Sequence, residues 1–98
     1  MTVWPEPVRF QWDVVNQEKN WLKHRVSNAE CEEVFFDPHK RLFHPAPHAG
    51  RETRYGLIGR TQDERLLVVI FTMRGHAVRV ISARDAHKRE RGFHEAAA

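Results

Sequence analysis

Four arginines, Arg54, Arg74, Arg79 and Arg84, fall on or beside segments that read as β-strands. A guanidinium is a permanently charged, planar fork of donors that matches the oxygens of a phosphate. Arg79 poses the sharpest question. It stands between Val78 and Val80, in a segment that should neighbour the most apolar strand of the chain. A cation there costs free energy unless it is paired or wet. An ion pair with Glu52, Glu64 or Asp85, or exposure on an open sheet face, would explain any one of these arginines. The set is harder to explain that way. Side chains alternate along a strand, so cations on adjacent strands can gather on one face. Arg84, Lys88 and Arg91 follow at intervals of four and three, the spacing of one helical stripe. An uncovered sheet face beside a basic helix suits a sugar–phosphate backbone.

The charge balance points the same way. Residues 1–50 hold six Lys/Arg against seven Asp/Glu, whereas residues 51–98 hold ten against six, and nine of those ten cations are arginine. A polyanionic partner, RNA or DNA, follows. Other chemistry is poorly represented. His39, His44 and His48 cluster in a proline-rich stretch without the i,i+4 spacing of a helical metal site. They read as solvated loop histidines, and no metal or cofactor is expected. His24 falls at a helix end, where a protonated imidazole is favoured, and is a titratable group near the basic residues. No Ser/His/Asp set, glycine-rich phosphate loop or catalytic carboxylate pair stands out. The lone Cys31 forms no internal disulfide, which fits a reducing compartment and a cytoplasmic location. No apolar run approaches the ~20 residues that cross a bilayer.

These groups need elements to position them. Residues 1–9 read as an extended arm, with FQW at 10–12 a possible short strand. Asp13 is a helix N-cap, and the helix it starts should run to about His24, amphipathic, with Val14, Val15, Trp21 and Leu22 on one side and Asn16, Lys19, Asn20 and Lys23 on the other. SNAE at 27–30 is a capping box, with Val26 and Cys31 as its hydrophobic staple. The second helix should bury Val34 and Phe35 and stop at Asp37-Pro38. A short strand is expected at 40–43. From Arg51 the pattern is β: ETRYGLIG alternates, LLVVIFTM is apolar on both faces, and VRVISA forms the last strand. Ser82 and Asp85 suggest a weak capping box for a helix from Asp85 to Phe93, leaving 94–98 as a tail. Short turns between strands imply an antiparallel meander. The expected fold is a single α+β domain spanning 1–98. Two N-terminal helices pack on an antiparallel sheet of three to four strands, and a short C-terminal helix follows. The helices cover one sheet face; the other is closed by something else or is a working surface. The aromatics Trp12, Trp21, Phe35, Phe36 and Phe71 are assigned to the core.

In that order, the segments resemble the BrnT family of bacterial toxins. The matching pieces are FQWD at 10–13, Asn20 to His24 with Val26 and Ser27, Val34 to Pro38, and HAGRETR at 48–54. IGRT at 58–61, RLLVVIFTMRG at 65–75 and RVISARDAHKRER at 79–91 complete them. The chain departs from the family pattern at Asn16, where lysine is common, at Arg25, where glycine is common, and at Asn28, where an aromatic is common. Arg25 would be strained if its position requires a positive φ.

The resemblance implies a RelE-like fold and a ribonuclease that arrests translation. It also implies a BrnA-type antitoxin that binds the toxin as a hetero-oligomer and reaches operator DNA through its own DNA-binding domain. Metal-independent cleavage would use the ribose 2′-OH as nucleophile, with fixed arginines stabilising the charge on the transition state. Arginine is a poor base, so the proton carriers would be Glu52 and His24. Arg54, Arg74, Arg79 and Arg84 would hold the scissile phosphate and its neighbours, with Lys23, Lys88 and Arg91 extending the RNA track. A non-catalytic basic module that binds nucleic acid or protein explains the charge equally well.

Overall fold

The structure, a computed structural model, describes residues 9–45 and 53–96. Glu52, His48 and residues 1–8 of the expected arm lie outside them. Along the chain come β1 (Arg9–Gln11), α1 (Val14–His24), α2 (Asn28–Val34), β2 (Arg41–Phe43), β3 (Tyr55–Arg60), β4 (Leu66–Arg74), β5 (Ala77–Asp85) and α3 (Lys88–Glu95). The strands form one sheet in the order β1-β5-β4-β3-β2. Short connections make β3–β4 and β4–β5 antiparallel, and β2–β3 is antiparallel too. β1 adds a fifth strand, parallel to β5. It overlaps the short strand expected at 10–12; what three residues could not reveal is the partner, which lies far along the chain.

The apolar run of β4 occupies the middle of the sheet, buried on both sides as its composition demands. Leu67, Val69 and Phe71 pack on the helical side with Leu57, Val78, Val80 and Ala83, beneath Val26, Cys31, Val34 and Phe35. Phe35 meets Phe71 edge-on at 5.0 Å, and Tyr55 stacks on Phe71 at 5.7 Å. Leu66, Val68 and Ile70 point to the opposite face, with Ile58, Phe43 and Ala86. Burial pushes the Cys31 thiol up to about 12, leaving it inert.

The register of β5 slips once. Ile70 pairs with Ser82 but Phe71 pairs with Val80, so Ile81 is an extra residue without a partner across the ladder. The bulge inverts the alternation. Val78, Val80 and Ala83 consequently share one core although they are not evenly spaced by two.

α1 is docked opposite to expectation. Val14, Val15, Trp21 and Leu22 are exposed, and the buried residue is Asn20. The reason is the sheet edge. β1 pairs with β5 only as far as Arg79, so the edge of β5 beyond that point offers unpaired backbone donors. The Asn20 Oδ1 accepts the Ala83 N–H at 3.1 Å, which no apolar side chain could do. Phe36 is likewise exposed rather than core.

The turn between the helices follows the reading closely. Asp13 caps α1 through Oδ1, which accepts from the N–H groups of Val15 and Asn16. Ser27 and Glu30 form the capping box of α2, at 3.1 and 3.0 Å. Arg25 adopts φ 55°, the left-handed conformation that a glycine would take more readily. Arg65 secures the turn from the start of β4. It donates to the carbonyls of His24 (2.8 Å) and Arg25 (2.7 Å), to Glu30 (3.0 Å) and to Asp85 (2.7 and 3.1 Å). The Asp85 carboxylate, more than burial opposes, raises the pKa of this guanidinium.

The last helix starts later than the sequence suggests. β5 continues to Asp85, because β4 begins early enough to pair with it, and the cap is made by Glu90, which accepts the His87 N–H at 2.8 Å. Residues 94 and 95 belong to α3 rather than to a tail, and His94 is buried.

Two stability changes follow. Arg25→Gly should raise the unfolding free energy by up to ~1 kcal/mol, since a left-handed non-glycine residue costs about that much, whereas Arg25→Ala should give no gain. Arg65→Ala should cost about 2–4 kcal/mol in denaturant unfolding, because it leaves Glu30, Asp85 and the end of α1 without their shared donor.

Candidate nucleic-acid interface

The face of the sheet turned away from α1 and α2 divides into two halves. Over one half lies α3. The Phe43 ring covers Gly56, where an added Cβ would collide with it. Phe43, Ile58, Arg89, Glu90 and Phe93 line an apolar hollow of about 340 Å³ at the α3 seam. Three ties hold the helix down. The Arg84 guanidinium meets the Glu90 carboxylate through two hydrogen bonds of 2.7 Å. Arg41 donates to the Phe93 carbonyl at 3.3 Å and lies over its ring, 4.2 Å from the centroid. His94 Nε2 lies 2.9 Å from an Asp37 carboxylate oxygen in a buried contact.

The other half carries arginines. Arg79 faces Thr72 across the β5–β4 ladder, and Thr72 is buried. Arg54 immediately precedes β3, whose ladder with β4 ends at the Tyr55–Phe71 pair beside Thr72. β3 and β5 flank β4, about 10 Å apart, so Arg54 and Arg79 come from opposite sides of it. Arg74 pairs with Ala77 and is the diagonal neighbour of Arg79, about 7–8 Å away. Two strand arginines, Arg74 and Arg79, and Arg54 just ahead of β3 thus lie about one threonine. Arg79 is oriented by Asp13, whose Oδ2 accepts its Nη2 at 3.1 Å. The backbone N–H of Asn16 and then the Arg79 guanidinium hold the Asp13 carboxyl below the usual carboxylate range.

Arg84 shares this face only because of the bulge. Strict alternation puts Arg79 and Arg84, five residues apart, on opposite sides; the extra residue Ile81 brings them to the same one. They remain roughly four strand steps, about 13 Å, apart along β5. The arginines therefore form a cluster of three, Arg54, Arg74 and Arg79, and a separate member, Arg84, already engaged by Glu90. Arg84 ends as a strand residue and not as part of the α3 stripe, which Lys88 and Arg91 continue as exposed cations.

The proposed proton carriers divide. His24 closes α1 near Asp85, whose carboxyl is lowered first by Arg65 and further by the positive fields of His24 and Arg91. His24 therefore lies near the Asp85 end of β5 on the α1 side of the sheet, and not at the cluster around Thr72. Lys23 precedes it, exposed on the last turn of α1. Glu52 lies outside the described residues, two positions before Arg54. Of the loop histidines, His39 and His44 are exposed. Among the described residues no three of His, Cys, Asp or Glu gather as a metal ion requires.

Sequence reasoning missed Asp13 as the partner of Arg79, Glu90 as the partner of Arg84, Asp37–His94, and the hub Arg65. Asp13 had a complete explanation as a helix cap, and nothing in its spacing from Arg79 signals contact. Asp37 read as a helix stop. Its carboxyl, which burial alone would raise, is lowered by the N–H groups of Arg60 and His39 and by His94.

The family model described as "Ribonuclease toxin, BrnT, of type II toxin-antitoxin system" matches residues 12–90. Among solved structures, the chain is similar to the ribonuclease toxin BrnT of Brucella abortus, with 26% identity and a TM-score of 0.62 over 82% of this chain and 97% of that one. A search of curated proteins finds no match.

The geometry predicts an acid response of α3. Arg84 lowers the Glu90 carboxyl from 4.5 to about 2, so the pair contributes fully above the ordinary value and is lost as pH falls through about 2. The protection factors of the amide hydrogens across α3 should fall over that window. Glu90→Gln should show the lower protection already at neutral pH, and unchanged protection would refute the tie.

Proposed function

Because the chain belongs to the BrnT family of ribonuclease toxins of type II toxin–antitoxin systems, we propose that it cleaves RNA on the arginine-bearing half of the second sheet face. Arg54, Arg74 and Arg79 surround the scissile phosphate there. The observation that carries the reading is the placement of Arg74 and Arg79 on adjacent strands beside buried Thr72, with Arg54 at the start of the third. The chemistry asks for little else. The ribose 2′-OH attacks the adjacent phosphorus, negative charge grows on the non-bridging oxygens, and the 5′-oxygen leaves with a proton. Guanidinium groups held in place before the reaction stabilise that charge without reorganising, which is where most of the rate enhancement of such sites originates. Asp13 supplies that holding for Arg79.

Proton transfer is assigned to Glu52, two residues before Arg54; His24, the other carrier expected from the sequence, lies near Asp85 at the far end of β5 from this cluster. Arg84 takes a neighbouring phosphate of the same strand by exchanging Glu90 for it, and Lys88, Arg91 and Lys23 extend the track. The reaction needs no metal. Cleavage of RNA by this route inhibits translation. The inhibiting partner is a BrnA-type antitoxin in a hetero-oligomer, which reaches operator DNA through its own domain, all in the cytoplasm. The internal carboxylates on Arg79 and Arg84 favour a second reading, in which the face binds RNA without cutting it.

Purified protein free of its partner should cleave RNA in the presence of EDTA, and Arg79→Ala should lower the rate ~100- to 1,000-fold with an unchanged melting temperature. Binding without cleavage would establish the second reading. Cleavage abolished by EDTA would refute the metal-independent route, and full activity of the variant would remove Arg79 from the site.

A further inference from the structure

Helix α1 presents its apolar side to solvent. Val14, Val15, Trp21 and Leu22 are 66%, 72%, 48% and 70% exposed. With 3.6 residues per turn, these four and Glu18 fall within about 120° of the helix surface, centred opposite buried Asn20. Single exposed apolar residues are ordinary, but a contiguous stripe of them marks a surface that something covers. The stripe is bordered by cations. Lys19 and Lys23 follow one flank, and Arg25 closes the end with its guanidinium 5.4 Å from the Trp21 ring centroid. Glu18 is the acid within it.

We propose that this face seats the protein antitoxin, and that the docking segment is apolar with carboxylates along its flank. The proposal rests on the family reading for the existence of a protein partner; the stripe and its charges determine where and how it binds. Charge selects among occupants. A second copy of this chain, related by a two-fold axis, would bring Lys19, Lys23 and Arg25 against themselves. An RNA backbone would meet the cations but gain nothing from four apolar side chains. An acidic, apolar segment satisfies both features. Its position also accounts for inhibition. Val14 directly follows Asp13, whose carboxylate holds Arg79, so a segment lying along α1 ends beside the arginine cluster.

The test uses the full chain and the purified antitoxin of its own operon. The double variant Val15→Glu, Leu22→Glu should fold with an unchanged or higher melting temperature and cleave RNA at the rate of the parent. Its dissociation constant for the antitoxin should rise about 100-fold or more, as loss of two central apolar anchors does. Lys19→Glu, which leaves the stripe intact, should weaken binding about tenfold and reduce its salt dependence. Affinity of the double variant within threefold of the parent would overturn the proposal. So would a change confined to self-association, seen by sedimentation, or a loss of RNA binding instead. The binding measurement involves no cleavage, so a parent chain that bound the antitoxin without cutting RNA would defeat the nuclease reading and leave this one standing.

Discussion

One unpaired residue, Ile81, sets the terms for the rest of the structure. A strand without it would send either Arg79 or Arg84 into the helical core, where an unpaired guanidinium is not tolerated. With it, both arginines leave the core on the same side while Val78, Val80 and Ala83 stay within it. The bulge also lies where β1 stops pairing with β5, so the strand turns an open edge toward α1 just past it. Asn20 fills that edge, and its demand for a backbone donor is what rotates α1 so that its polar side faces inward. A charged sheet face and an apolar helix face are two consequences of the same irregularity.

The parts of this architecture that were readable in the sequence are those that local physics determines. The Asp13 cap, the Ser27–Glu30 box, the stop near Asp37 and the doubly buried β4 each depend on a few adjacent residues, and each is present. The failures share a cause. The amphipathic pattern of α1 is real, but it does not say which side faces the protein. The edge of β5 decided that, and the edge is set by a three-residue strand pairing across more than sixty positions. The bulge in β5 leaves no residue signature in VRVISA. The sequence suggests a gathering of four arginines. The register places Arg74 and Arg79 beside Thr72, with Arg54 just ahead of β3, and holds Arg84 some distance along the strand.

The carboxylates beside the arginines do different work. Glu90 reaches Arg84 with both oxygens, in the geometry a phosphate would use, and thereby ties α3 to the sheet. A ligand that takes Arg84 must displace it, so occupancy there competes with the packing of α3. Asp13 contacts Arg79 with a single oxygen, at a longer distance, and leaves the remaining donors of the fork unused by that carboxylate. It orients the group without occupying it. Neutralising pairs would argue against a phosphate site if they were alike; their difference instead distinguishes a positioned arginine from a latched one.

Asp13 joins the two surfaces. Oδ1 receives the first N–H groups of α1, and Oδ2 receives Arg79. A movement of the first turn of α1 therefore moves the carboxylate that aims Arg79, because one planar group serves both. A partner that presses on Val14 and Val15 acts on that turn directly. Coupling of this kind needs no long chain of contacts and no second conformation of the sheet. It needs only that capping and ion pairing share an atom group, and it makes the geometry of the arginine cluster dependent on what covers the outer face of the helix.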